Sequence, residues 1–332
     1  MSTVVALRRP AALVRAAHCR RLGQTFSRLK PEARLAEPVH QPVMLEEVLR
    51  ELPLRPGAVV VDATLGLGGH ALALAGRIAP GGTLVGIEWD ESMLAIASRR
   101  LAGVSGVRVE LIHDDFRNLD ERLRELGLSA DGILIDLGLN SAQIEDPTRG
   151  LSFVVDGPLD MRQDRSRGEP AAALLNRVSL GEIERCLWDF GDERWARAIA
   201  RSIVERRKVA PLRTTSDLVA CVLEAVPPKA RDRRIHPATR TFQAVRIVVN
   251  GELERLDLAM SSAAQCLTPG GVLAVLSYHS GEDRIVKKAF RSLAQQGFEE
   301  LFKKPVPPKE GEVARNPRSR SAKLRALRRP PT

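Results

Sequence analysis

The sequence predicts an α/β protein, an open Rossmann-like sheet of parallel strands interrupted by an all-helical insertion. Three observations predict it. From residue 57 short β-branched runs alternate with longer amphipathic stretches, the pattern of parallel strands joined by crossover helices. A glycine-rich turn follows the first of these runs, at the strand end where such sheets bind ligands. Residues 145–235 then lose the strand signal and keep only helical periodicities and turns.

In chain order, residues 58–65 read as a buried strand, 66–69 as a tight turn and 70–78 as a helix. Residues 83–89 form a second strand carrying Glu88 near its tip, and 91–101 a second helix. The third strand is 107–113, and the helix 119–126 leads to a fourth at 132–137. Inside the insertion, 180–190, 194–208 and 215–226 have helical spacing, two of them with Ser or Thr near the start, where a hydroxyl caps free amides. The sheet pattern resumes with one long helix, 241–266, a Pro269-Gly270-Gly271 turn and a fifth buried strand, 272–278. Residues 298–306 and 322–328 suit a closing antiparallel hairpin joined by a basic loop. The division expected is a leader at 1–36, a sheet unit from 37–144 and 236–332, and the helical insertion 145–235.

At 332 residues and 44% apolar content the chain can bury a full core. No stretch approaches the roughly 20 consecutive apolar residues of a membrane span, so no membrane partner is expected. Cys19, Cys186, Cys221 and Cys266 lie far apart without a CxxC pair, and the six histidines lack metal-ligand spacing. Neither a disulfide framework nor a structural metal is expected, which fits a reducing compartment.

The net charge of +10 is unevenly placed. Residues 1–31 carry seven basic groups and no acid, and residues 303–332 carry ten against Glu310 and Glu312, which leaves the body between them acidic. An Arg-rich, acid-free stretch has the composition of a mitochondrial transit peptide, so a matrix location is expected. The alternative for it is a basic arm that binds RNA directly.

The turn DATLGLGGH at 62–70 removes side chains at Gly66, Gly68 and Gly69, so a ligand can touch backbone. Glu88, about 20 residues further at a strand tip, can accept hydrogen bonds from ribose hydroxyls. Together they indicate an adenosine-containing ligand. Gly66, Gly68 and Ala71 also satisfy a loose dinucleotide fingerprint, so an NAD-dependent oxidoreductase stays open. Asp114, Asp115 and Phe116 after the third strand, and Asp136 to Gln143 after the fourth, favour S-adenosylmethionine instead. Phe116 suits an adenine face, and acids suit a sulfonium and an ammonium where a pyrophosphate would want bases.

The chain resembles the RsmH (MraW) family of ribosomal RNA cytosine-N4 methyltransferases. The resemblance rests on HQPVMLEEVL at 40–49, DATLGLGGH at 62–70, GILIDLGLNSAQ at 132–143 and RGLSFVVDGPLDMR at 149–162, followed by HPATRTFQAVR at 236–246, LSYHSGEDR at 276–284 and NPRSRSAKL at 316–324. It implies a class I methyltransferase sheet, and that Gly68, Gly69, His70, Glu88, Phe116, Asp136 and Gln143 contact S-adenosylmethionine. It also implies that the insertion helps to hold RNA. With the leader added, the chain looks like a mitochondrial, animal-type member acting on small-subunit ribosomal RNA or an assembling small subunit. Bacterial members usually carry Asp at Glu88, Ser at Asn140, Phe at Tyr278 and Leu at Gly281. A non-catalytic ribosome assembly factor on the same fold is a further alternative.

The lone pair of cytosine N4 is delocalised, so methyl transfer needs acceptors for the N4 hydrogens more than a strong base. Asp136 and Asn140 are the expected acceptors, with Tyr278 or His279 placing the base. Arg149, Arg162, Arg165 and Arg167 together with Arg315, Arg318, Arg320, Lys323 and Arg325 are the expected phosphate contacts.

Overall fold

The computed structural model describes residues 41–232 and 235–331; the expected leader at 1–36, and Cys19 within it, lie outside the described residues. The chain enters through α1 (Leu45–Glu51) and then builds β1 (Val59–Asp62), α2 (Gly69–Ile78), β2 (Gly82–Glu88), α3 (Glu91–Leu101), β3 (Val107–His113), α4 (Leu119–Leu126) and β4 (Ala130–Asp136). Strands β1 to β5 are parallel. β5 (Leu267–Ser277) lies beside β4, and β7 (Lys323–Arg328) runs antiparallel between β5 and β6 (Glu299–Glu300). The resulting order, β3-β2-β1-β4-β5-β7-β6, is that of class I methyltransferases. It reverses direction between β1 and β4, so the tips of those two strands open a crevice.

Alternation along the strands sends neighbouring side chains to opposite faces. Val61, Val85, Ile133 and Val275 pack with α4, α11 (Leu256–Gln265) and α12 (Ser280–Ala294). Val60, Leu84, Leu134 and Ala274 pack with α1, α2 and α3 on the other face. Both faces are covered, as a parallel sheet requires.

Between β4 and β5 the chain forms α5 (Ser141–Glu145), α6 (Ala171–Arg177), α7 (Leu180–Gly191), α8 (Ala196–Val209), α9 (Thr215–Ala225) and α10 (Ala238–Asn250). A separate apolar cluster joins Leu175, Ile183, Leu187, Ile203, Leu218 and Val222 to Phe242 and Val245. α10, grouped by sequence with the sheet unit, therefore buries its apolar face among the insertion helices. Among the described residues no helix is long and apolar enough to cross a membrane.

The single helix expected over 241–266 is two. α10 ends at Gly251, whose φ of 57° takes the left-handed cap, with the amide of Glu252 reaching back to the carbonyl of Ile247 at 3.1 Å, and glycine bears that conformation without a Cβ penalty. The apolar period continues across the break, and this is why the sequence reads as one helix. The expected hairpin is present in shortened form, β6 with β7 plus a bridge between Val306 and Leu324, and its connection holds α13 (Glu310–Arg315).

Candidate active site

A cavity of about 630 Å³ opens at the strand tips, lined by residues 63–67, Gly69 and His70 of the turn but not by Gly68, and by the tips of β2, β3 and β4, residues 41–43 and residues 315–318. Glu88 is its anchor. The side chain is buried, its Oε2 accepts from the amide of Gly66 at 2.7 Å, and its Oε1 accepts from the amide of Asp90 at 2.9 Å. Burial pushes its carboxyl up to about 7 against the pull of those amides. Each oxygen keeps a lone pair for a further donor. The amide of Gly66 belongs to the turn where a dinucleotide fold would seat a pyrophosphate, and here it serves a carboxylate. Asp62 lies beneath the same turn, fully buried, raised to about 7 by burial and by the charge of Asp136. The turn is thus an acidic cradle, suited to a cationic adenosyl donor and unsuited to NAD.

Gly66 and Gly68 hold positive φ at 51° and 75°. A Cβ at Gly68 would touch Ala97 at 3.4 Å, so glycine lets α2 start against α3. His70 faces the cavity, but its Nε2 lies 2.9 Å from the carbonyl of Val43, and burial keeps the ring neutral. Only Nδ1 remains, 3.9 Å from Asp136 Oδ2. Phe116 and Trp89 also line the cavity, together with Asp114. Asp115 is spent on Arg117, its oxygens gripping the guanidinium at 2.6 to 3.0 Å. Gln143 is buried and lines the cavity, yet its Nε2 donates to Asp90 Oδ2 at 3.1 Å. It fixes the start of α5 against the tip of β2.

Of the four residues expected to act on the target, Asp136, Asn140 and Tyr278 line the cavity. Asp136 sits at the tip of β4, its carboxylate holding the amide of Gly138 at 3.2 Å and the hydroxyl of Tyr278. Asn140 also lines the cavity, but its Oδ1 caps α5 by accepting from the amide of Gln143 at 2.9 Å. Beside the lone pair that the cap leaves on Oδ1, it has amide N–H donors. His279 is outside the lining. It caps α12, Nδ1 accepting from the amide of Glu282 at 3.4 Å and Nε2 lying 3.0 Å from Glu282 Oε1. Its ring is part of the helix start, which corrects its assignment as a catalytic candidate.

The expected phosphate contacts divide in the same way. Arg149 is buried, with Nη2 2.8 Å from Asp90 Oδ2 and Nη1 donating to the carbonyl of Gln163, so it braces the cavity from behind. Arg162 is held by Asp160 at 2.7 Å and by the carbonyl of Arg165. Arg325 is buried against Asp283. Neither Arg149 nor Arg325 presents a cation to RNA. Arg315, Arg318 and Arg320 are exposed, and the first two rim the cavity. Arg318 meets Glu145 at 2.8 Å, and Lys323 lies 3.6 Å from Asp283.

Sequence reasoning missed Asp62 as a site group, Trp89, and the group Gln163, Arg246, Glu252 and Glu282, which line the same cavity as Tyr278. Trp89 has a sequence signal, since it directly follows the acid at a strand tip. Glu252 has none without the break at Gly251. Ligand atoms of Glu252, His279 and Glu282 lie within 4.8 Å of one another. The oxygens of Glu252 are matched by Arg246 and Glu282 Oε2 by two amides, while His279 Nε2 lies 3.0 Å from Glu282 Oε1.

Residues 37–330 match the sequence pattern of the MraW methylase family. The chain is 47% identical over 304 residues to a ribosomal RNA small subunit methyltransferase H of Geotalea uraniireducens, covering 86% of this chain and 97% of that one. It is 48% identical over 291 residues to the Sorangium cellulosum protein of the same name, covering 87% and 90%. Among solved structures, an rRNA methylase from Streptococcus thermophilus superposes with a TM-score of 0.38 at 15% identity, covering 86% of this chain and 92% of that one. Aeropyrum pernix fibrillarin with bound S-adenosyl-L-methionine gives 0.35 at 13% identity, covering 85% and 73%. The buried carboxylates of the turn and the aromatic rings of Phe116 and Trp89 in the cavity lining suit a cationic adenosyl group. The chain is an S-adenosylmethionine-dependent methyltransferase and belongs to the MraW methylase family.

Proposed function

We propose that this chain methylates N4 of a cytidine in mitochondrial small-subunit, 12S-type ribosomal RNA, and so supports assembly of the mitochondrial ribosome and translation. The similarity to bacterial proteins named for small-subunit ribosomal RNA methylation, along nearly their whole length, carries the substrate class. The acid-free, Arg-rich composition of residues 1–31 supports the matrix location. The cavity supports the chemistry. When bound, S-adenosylmethionine supplies an electrophilic methyl group. Asp136 accepts a hydrogen bond from the N4 amino group as its nitrogen pyramidalises, and the hydroxyl of Tyr278 steadies the carboxylate. A cytosine stacked in a helix cannot reach a crevice between strand tips, so the target is single-stranded or flipped out. Arg315, Arg318 and Arg320 at and near the rim hold its phosphates. The insertion is the RNA-substrate domain, and Trp188, 62% exposed on α7, gives it a stacking surface.

N4-methylcytidine mapped in mitochondrial ribosomal RNA, with and without this protein, tests the proposal. Loss of one modified cytidine on depletion, restored by the wild type and not by Asp136→Asn, is expected. An unchanged modification map contradicts it.

A further inference from the structure

The wall of the cavity holds an arginine that is half used. Arg246, on α10, donates from Nε to Glu252 Oε1 at 2.8 Å and from Nη2 to Glu252 Oε2 at 2.9 Å. Gln163 Nε2 also donates to Glu252 Oε1, at 3.0 Å, and the amide of Gln163 is held by Asn250 Oδ1 at 2.8 Å. Glu252 is only 10% exposed and Arg246 20%, so the fork is fixed from one side in a sheltered place. Among the described residues Nη1 has no hydrogen-bond partner. Its two N–H groups and the second one on Nη2 make the unspent end of the guanidinium, and Arg246 lines the same cavity as Glu88 and Asp136.

An unspent guanidinium end is a planar pair of donors, and it suits two adjacent acceptors in one plane. Cytosine offers that pair. Its N4, N3 and O2 run in order along one edge, N4 a donor and the other two acceptors. Once N4 points to the methyl donor beside Asp136, N3 and O2 face away from it and are left for a second group of the cavity wall. We propose that Arg246 is the specificity-determining residue for the target base, reading N3 and O2 of the cytosine with its Nη1 and Nη2 groups while Glu252 and Gln163 hold it in register. This rests on the cytidine reading above. Uridine is rejected because its N3–H would meet an arginine N–H, donor against donor, and a site built around such a bond discriminates strongly. Without the arginine, Glu252 and Glu282 would face the acceptor edge of the base with negative charge alone.

The test uses the small-subunit RNA fragment that the full-length enzyme methylates, prepared with either cytidine or 3-deazacytidine at the target position. The latter replaces ring N3 by C–H and keeps N4. Single-turnover rates are measured for the wild type and for Arg246→Met, with S-adenosylmethionine affinity measured by calorimetry to report folding. The wild type is expected to slow about 10- to 100-fold on the deaza RNA, the discrimination typical of one bidentate base contact. Arg246→Met is expected to be slow on both RNAs and nearly indifferent to the change, with donor affinity intact. Equal wild-type rates on the two RNAs overturn the proposal with no variant needed. A variant that stays as sensitive to the lost nitrogen as the wild type overturns it too. Failure of the wild type on every unmodified fragment would instead count against the cytidine reading itself.

Discussion

Glu88 is held between opposing effects, two amides that stabilise its ionised form and a burial that penalises it. Glu88→Gln removes the charge and turns an NH₂ toward one of those amides, leaving it without an acceptor. S-adenosylmethionine affinity is expected to fall about 10- to 100-fold, from the loss of a charge-assisted hydrogen bond to the ribose, while Glu88→Asp stays within about tenfold of wild type by calorimetry. Asn140 permits a sharper distinction. As a helix cap, Asn140→Ala should cost about 1 kcal/mol of stability, seen as a lowered melting temperature. A second role as acceptor for N4, through the lone pair that the cap leaves, would cost turnover beyond the loss of stability. Tyr278 is the chain's single tyrosine, and its ring lies where a Cβ on Gly138 would come within 2.6 Å of Cε2. Gly138→Ala should therefore displace the ring, release its hydroxyl from Asp136, and reduce kcat more than donor affinity.

At the level of elements, what the sequence disclosed follows from how local each signal is. The strands β1 to β4 and the helices α3 and α4 are legible because β-branched runs and amphipathic stretches are short, dense and bounded by turns, and the acid at the tip of β2 is fixed by its distance from the glycines. The break between α10 and α11 was hidden because a left-handed cap at Gly251 leaves the apolar period nearly intact. That break carries Glu252 into the cavity, so its contacts with Arg246 and Gln163 were hidden with it. α12 was missed because its cap is a histidine, and the same misreading made His279 look chemical. Arg149 and Arg162 were read as surface cations because sequence gives no sign of the buried Asp90 and the half-buried Asp160 that claim them. The cap explains a further expectation at this scale. Gly251→Ala puts a Cβ 3.1 Å from the Glu254 carboxyl carbon at a φ of 57°. It should cost about 1 kcal/mol in melting experiments, and should also loosen Glu252 and slow methylation.

Across the whole molecule, the raised carboxyls of Asp62 and Glu88 tie stability to pH. Both stand at about 7 when folded, against 3.8 and 4.5 as their ordinary values. The folded state thus holds protons that the unfolded chain releases, and this contribution is complete below pH about 4 and lost as pH rises through about 7. His70, lowered from 6.5 by burial, works in the opposite sense below that value. Between pH about 6.5 and 8 the carboxyls act alone of these three, and the melting temperature of the donor-free protein should fall by a few degrees. A saturating cationic donor, which favours their ionised forms, should flatten the fall. The exposed basic tail governs a different property. Replacing Arg315, Arg318 and Arg320 together by Ala should reduce the salt slope of RNA binding by about 2, at roughly 0.7 per single-strand phosphate contact, without altering donor affinity.

The central claim is that the crevice between β1 and β4 is an acidic cradle for a cationic adenosyl donor, and calorimetric titration of the protein with S-adenosylmethionine near pH 7, in buffers of different ionisation enthalpy, tests it most directly. The account predicts one-site uptake accompanied by net proton release as Asp62 and Glu88 ionise against the bound cation. Absence of uptake, or uptake with net proton gain, would contradict it.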